Sequence, residues 1–357
     1  MTQYRIDNHK LMFHPHRVSE WMDGKNIAPI YMEISPTGAC NHRCLFCGLD
    51  FMGYKPDFLD QSILLKRIEE IALMGLKSIM YAGEGEPLCH NNLPQIIEGT
   101  KKSGIDVSLT TNGVLLTLEK SERILPSLSW IKISCNAGTK ETHAHLHGTS
   151  KNDFSRLMGN LKACVALKHN NNFSCTLGIQ AILLPENYDE MERLARISAD
   201  IGLDYLVIKP YSHHPKSQTK WYKNLGFDDY NLETLSEKLD EISDEHFKVI
   251  LRTNAMERQV NNKKDYDHCL GLPFWSYIDS TGNVWGCSVH MTDSGFLYGN
   301  IYSQSFNEIW SSPTRKKNIE WVANEMDAKE CRVNCRLDAI NNYLWELTHP
   351  NNHVNFI

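Results

Sequence analysis

Eleven cysteines occur in this 357-residue sequence, and seven of them are bunched. Cys40, Cys44 and Cys47 share the stretch GACNHRCLFC (38–47), while Cys269, Cys287, Cys331 and Cys335 fall near the end. Three thiolates at C-x3-C-x2-C can grip three corners of a cuboidal [4Fe–4S] cluster and leave the fourth iron open to another molecule. A structural zinc would ask for a fourth protein ligand, and His42 lies inside the loop to offer one. A reduced trio without a ligand is the third reading. The four late cysteines would saturate one iron–sulfur cluster or one zinc ion, and their number alone permits both. An odd total fits poorly with complete disulfide pairing.

The remaining thiols differ in promise. Cys89 follows GEGEPL and is the best placed of them for chemistry at a strand end. Cys135 alternates with Ser134 and Asn136 along one strand, which turns it to the opposite face and suits a small buried hydrophobe. Cys164, in NLKACVALK, reads as helix core.

Elements must place these residues, and the bulk composition allows them. With 41% hydrophobic residues the chain can bury one large or two ordinary cores. A net charge of -6 leaves no basic face for a nucleic-acid backbone. No run of about 18 apolar residues is present, so no membrane span is expected. The N-terminal MTQYRIDNHKLMF lacks the order of a signal peptide, and a cytoplasmic chain is expected.

Strand-like apolar runs recur at 29–35, 77–83, 105–113, 130–138, 174–184 and 204–210. Helical spacing fills 61–75, 153–169 and 188–202, the last with Gly202 as its stop. Strand then helix, six times, predicts a parallel sheet with crossover helices. Ligands of such sheets gather at the carboxyl ends of the strands. GACNHRCLFC, AGEGEP (82–87), TTNG (110–113) and SCNAG (134–138) all fall there. The pattern changes near residue 255. The expected division is an extension (1–28), a barrel (29–255) and a cysteine-bearing domain (256–357), where WSYIDSTGNVWGC reads as a hairpin.

In this order the motifs resemble the radical SAM superfamily, over residues 30 to about 210. The cysteine loop, with Phe46 before its third cysteine, resembles the superfamily signature. GEGEP (83–87) resembles its glycine-glycine-glutamate-proline motif, with Glu84 in place of one glycine and Gly85, Glu86 and Pro87 matching. The resemblance implies a partial (β/α)6 TIM-like barrel whose [4Fe–4S] cluster and S-adenosylmethionine (SAM) sit on one rim. Thr111, Asn112, Ser134, Asn136 and Gln180 would then line the SAM site. It further implies a 5′-deoxyadenosyl radical and a flavodoxin- or ferredoxin-like electron donor. The late cysteines, the hairpin and GNIYSQSFNEIW (299–310) resemble a SPASM/twitch extension, which implies one auxiliary iron–sulfur cluster on Cys269, Cys287, Cys331 and Cys335. Family members commonly carry polar residues without metal where HAHLHGT (143–149) stands.

Only 39 residues precede Cys40, too few for a leader-peptide recognition domain, so a small polar metabolite is the expected substrate: a sugar, an aminocyclitol or a nucleoside-linked sugar. Oxidation of a secondary alcohol and epimerisation both suit the architecture. Lys209 and Tyr211 in IKPYSHHPKSQTKWY (208–222), with Arg252, are the expected oxygen-holding catalytic residues, and Cys89 and Cys135 the candidate thiols. A peptide-modifying enzyme with a separate recognition partner is the enzymatic alternative. A SAM- or metal-binding protein without turnover is the other, resting on Glu84.

Overall fold

The computed structural model describes residues 8–227, 229–261 and 264–356. Residues 1–7 of the expected N-terminal extension, and Asn262 and Lys263 of the charged stretch NNKKDYDH, lie outside them. All six expected strands form, as β1 (Tyr31–Ile34), β2 (Ser78–Tyr81), β3 (Asp106–Thr111), β4 (Leu128–Ser134), β5 (Thr176–Leu183) and β6 (Tyr205–Pro210). They pair in parallel in chain order, and a further parallel strand, β7 (Lys248–Leu251), follows β6.

Side chains alternate across this sheet. Ile34, Ile79, Leu109, Ile131, Ile179 and Ile208 are buried with the crossover helices in one apolar core. Each such aliphatic side chain contributes about 1.5–3 kcal/mol on burial. The helices begin and end where local chemistry dictates. Asp60 caps Gln61–Met74 by accepting from Ile63 N–H at 2.9 Å. Gly202 ends Met191–Ile201 at φ +87°, a left-handed conformation that glycine adopts without a Cβ penalty. Alternate strand positions bring Glu33, Lys132, Ser134, Gln180 and Lys209 to the other face of the sheet, inside the curve of the barrel.

The C-terminal segment forms the expected hairpin, β8 (Trp275–Ile278) and β9 (Asn283–Trp285), and then β10 (Leu297–Asn300). It is not a separate layer. β8 pairs in parallel with β1, Tyr31 opposite Trp275 through Ile34 opposite Ile278, so ten strands make one sheet, β10-β9-β8-β1-β2-β3-β4-β5-β6-β7. The expected boundary at 255 falls inside the helix Thr253–Asn261. Among the described residues no helix is long and apolar enough to cross a membrane.

Glu84 fastens the two parts of the sheet. Its carboxylate, 4% exposed, accepts from Tyr277 Oη at 2.5 Å and from Ser280 N–H at 2.7 Å. The departure from the usual glycine therefore has a structural use. Glu84→Gly would leave two buried donors unsatisfied and should cost about 3 kcal/mol. Thermal unfolding should register this as a midpoint lower by several degrees, and an unchanged midpoint would refute the brace.

Candidate active site

The cysteine loop leaves β1 and is held on three sides by backbone. Gly38 N–H donates to Asp57 O at 3.0 Å, and Thr37 Oγ1 donates to the same carbonyl at 2.7 Å. Glu86 N–H donates to Ala39 O at 2.8 Å. A Cβ on Gly85 would collide with the carbonyl oxygens of Thr37 and Ala39, so only glycine lets the second strand end run this close. On the third side the helix Lys140–His147 presents its last carbonyls: Arg43 N–H donates to His147 O at 3.0 Å and Leu45 N–H to Leu146 O at 2.9 Å.

The three thiols are free and lie within one another's electrostatic field. Burial pushes Cys40 up to about 12 and Cys44 well above the ordinary thiol value. Thiols buried this way keep their protons until a cation replaces them, which is what iron does. The His42 backbone N–H donates to the Cys40 sulfur at 3.5 Å. Three converging sulfurs with hydrogen-bond donors aimed at them fit a cluster gripped at three corners.

Side-chain hydrogen bonds lock the neighbouring strand ends. Glu86, 3% exposed, accepts from Thr111 Oγ1 at 2.5 Å, Asn112 N–H at 2.7 Å and Leu88 N–H at 3.0 Å. Pro87 opens the short turn that carries Leu88 and Cys89. Asn112 Nδ2 donates to Asn41 Oδ1, inside the cysteine loop, at 2.8 Å. Asn136 Oδ1 accepts from Ile182 N–H at 2.6 Å, and Asn187 Nδ2 donates to the Asn136 carbonyl at 2.7 Å. Ser134 and Gln180 are register partners on β4 and β5, both half-buried. The residues expected around SAM are thus brought to one rim, and most of the polar ones brace it.

Two histidines, His143 and His147, stand behind the loop, and His42 within it faces them. His147 Nδ1 lies 3.6 Å from Cys44 Sγ. His143 stacks on His147 with centroids 4.2 Å apart, and Phe46 meets His147 edge-on at 5.2 Å. His42 turns inward to Asp153, 3.4 Å from Nε2 to Oδ2. His42, Cys44 and His147 have donor atoms within 4.8 Å of one another. Burial, then the neighbouring imidazoles, hold His147 well below the usual histidine range, so it is neutral.

Inside the barrel the charge is mostly positive. Burial, followed by the charges of Lys132, Arg252, Arg332 and Arg336, pushes Lys209 down to about 7. Lys132, over the Trp130 ring at 4.9 Å, is pushed by burial down to about 8. Arg336 reaches in from the C-terminal segment to Glu33, 2.7 Å away, and donates to Tyr31 Oη at 2.9 Å. Arg332 donates to Ser212 Oγ and O at 3.1 and 3.0 Å. Arg252 and Arg336 also line a cavity of about 450 Å³ with Arg258, Asn334 and Tyr343.

Several expectations change here. Cys135 is fully buried in the apolar core, its sulfur 3.6 Å from Ala137 O, because alternation points it at the helices; it does not reach the barrel interior. Cys89 is half-buried beside Cys40, on the cluster side. Tyr211 is buried with Phe46, Leu146, Leu184 and Tyr222, its hydroxyl 3.3 Å from His213 Nδ1. Lys216 and His214 fasten their loop to the C-terminal segment through Met291 O and Ser288 O. Lys132, Arg332, Arg336, Glu33 and His147 were not anticipated. A lysine at an inward strand position and arginines one residue beyond Cys331 and Cys335 were the available signals.

The four late cysteines meet in an apolar pocket with Leu272, Phe296, Met326 and Leu337. Burial pushes Cys269 up to about 11 and Cys287 up to about 12, each within the field of Cys335. Cys331 and Cys335 lie within each other's electrostatic field. Four sulfurs around one dry pocket fit a cluster with no open corner.

Comparison with known proteins agrees with this geometry. A model of the radical SAM superfamily matches residues 34–197, and one of an iron–sulfur cluster-binding domain, SPASM, matches residues 269–336. A GTP 3′,8-cyclase of Chlorobaculum tepidum is 28% identical over 189 residues, which are 52% of this chain and 55% of that protein. The chain thus spans about half the length of that relative. An AdoMet-dependent heme synthase of Methanosarcina barkeri is 24% identical over 324 residues, 86% of this chain and 88% of that one. The crystal structure of Streptococcus suis SuiB bound to its precursor peptide SuiA superposes with a TM-score of 0.64 at 15% identity, over 86% of this chain and 71% of SuiB, a likeness of fold. The chain belongs to the radical SAM superfamily and carries a C-terminal SPASM-type domain, which together imply a SAM-binding [4Fe–4S] cluster and an auxiliary iron–sulfur cluster.

Proposed function

We propose that this enzyme abstracts a hydrogen atom from a small polar substrate that carries an acidic group, and that the outcome is oxidation of a secondary alcohol. The observation that carries the reading is the cationic barrel interior, where Lys132, Arg252, Arg332 and Arg336 surround Lys209. Half-buried cations gathered on one face, with Arg336 more exposed, suit an anionic partner such as the carboxylate or phosphate of a sugar acid or nucleoside-linked sugar. The resemblance to GTP 3′,8-cyclases, whose named substrate is a triphosphate, points the same way.

When bound, SAM and the three-cysteine cluster supply a radical that takes hydrogen from carbon, and the four-cysteine cluster supplies a sink for one electron. The chain's own residues do the rest. Cys40, Cys44 and Cys47 hold the first cluster and Cys269, Cys287, Cys331 and Cys335 the second. Gly85, Glu86, Pro87, Thr111, Asn112, Ser134, Asn136 and Gln180 shape the SAM side of the rim, with Phe46 packed beneath. Lys209, near 7, is matched to take a hydroxyl proton at neutral pH. Arg252 orients a substrate oxygen, and Tyr211 supports the wall beside it. A flavodoxin- or ferredoxin-like protein delivers the electron.

Oxidation is favoured over epimerisation because the latter needs a thiol facing the substrate. Of the four cysteines outside the two clusters, Cys135, Cys164 and Cys175 are fully buried, and Cys89 sits beside Cys40. The fold likeness to peptide-bound SuiB favours a second reading, a peptide-modifying enzyme with its own recognition partner. The role of Glu84 as a brace removes the ground for a protein without turnover.

Anaerobic reconstitution should load about eight irons per chain, and Cys335→Ser should lower this to about four while the SAM-dependent change in the EPR signal persists. Loss of both clusters together would count against two independent sites. With dithionite and SAM the wild-type chain should release 5′-deoxyadenosine, and Cys47→Ala should release at least about a hundredfold less. Turnover in deuterated solvent should give product without carbon-bound deuterium. Deuterium at the reacting carbon would replace oxidation with epimerisation.

A further inference from the structure

The histidine-rich segment 143–149 has no role in the reading above, yet its last histidine is aimed at a cluster ligand. Two backbone hydrogen bonds flank Cys44, from Arg43 N–H to His147 O and from Leu45 N–H to Leu146 O. They set the helix end in fixed register against the loop. Gly148 permits the approach, since a Cβ there would strike the Arg43 carbonyl oxygen. The ring plane is fixed as well, by the His143 stack on one side and the Phe46 edge on another.

The tautomer follows from the partners. Asn136 N–H points at His147 Nε2 from 3.3 Å, and Asn136 Nδ2 is also 3.3 Å away. A backbone N–H can only donate, so Nε2 is the acceptor. In a neutral imidazole the proton is then on Nδ1, and Nδ1 faces Cys44 Sγ at 3.6 Å.

We propose that His147 donates its Nδ1–H to the Cys44 sulfur and thereby raises the reduction potential of the SAM-binding cluster. The physical reason is charge. Reduction adds an electron that spreads onto the ligand sulfurs, and a hydrogen bond to one of them is stronger in the reduced state. Asn136 is the positioning residue for this donor, because its backbone N–H selects the tautomer, and its side chain ties the same point to β5.

The test uses the full chain loaded anaerobically with iron and sulfide. A redox titration follows the cluster whose EPR signal changes when SAM is added. His147→Phe keeps a ring for the stack and removes the N–H. At a fixed potential its ratio of reduced to oxidised cluster should fall about tenfold, or about 59 mV for one electron. His147→Gln, with an amide N–H, should recover part of the loss. Electron–nuclear double resonance in light and heavy water should show an exchangeable-proton coupling in the wild type that His147→Phe lacks, while the coupling of the His42 N–H at Cys40 persists in both. An iron-replete His147→Phe chain with unaltered potential and an unaltered proton signal would overturn the proposal. So would hyperfine coupling to a directly bound imidazole nitrogen in the wild type, which would make His147 an iron ligand. Should His147→Phe fail to load iron, His147→Gln decides: a lowered potential with a weakened exchangeable-proton coupling supports the proposal, and both unaltered refute it.

Discussion

A parallel sheet offers its ligands only strand ends, and strand ends are loops that must be held at fixed separations before any chemistry is possible. In this protein buried side-chain hydrogen bonds hold them. Glu86 joins the second strand end to the third through Thr111 and Asn112, Asn112 joins the third to the cysteine loop, and Asn136 with Asn187 joins the fourth to the fifth. Each of these groups is nearly inaccessible to water, so an unmade bond would cost its full desolvation. The rim is therefore a network whose members stand or fall together.

Electrostatics divides the interior into two regions. Beside the cysteine loop burial keeps the His143 and His147 imidazoles uncharged and pushes the thiols up. Deeper in the barrel lie lysines and arginines, with Glu33 paired to Arg336. The SPASM-type segment supplies two of those arginines from positions adjacent to its own cysteines. Residues 331–336 therefore carry two of the four late cysteines together with two of the interior arginines.

The fold was largely legible in the sequence because its signals are local. Apolar runs of strand length, helical spacing between them and Gly202 as a stop are each read from a few neighbouring residues, and all six strands were found. Cys40, Cys44 and Cys47 stood out because a C-x3-C-x2-C spacing is local. What escaped was non-local. The pairing of β8 with β1 joins residues more than two hundred positions apart, and no short window contains it. The same is true of Glu84, whose partners Tyr277 and Ser280 lie nearly two hundred positions away, and of Arg336 at Glu33. Lys132 escaped because WIKIS reads as an ordinary strand until its inward face is known to be charged. Cys135 shows the opposite case: the period of two in a strand was enough to send it to the apolar side.

The parallel pairing of β8 with β1 has a further result for the molecule as a whole. A barrel that stops at its sixth or seventh strand has two open margins, each a row of unmet N–H and C=O groups that another chain could template on. Here one margin, along β1, is sealed by the protein's own tail, and the bonding continues to β10. A shortened chain lacking that tail would lose more than its auxiliary centre: it would uncover a flat, hydrogen-bonding border beside the buried Glu84 carboxylate and become prone to self-association. The tail is thus a guard against sticking as well as a holder of iron.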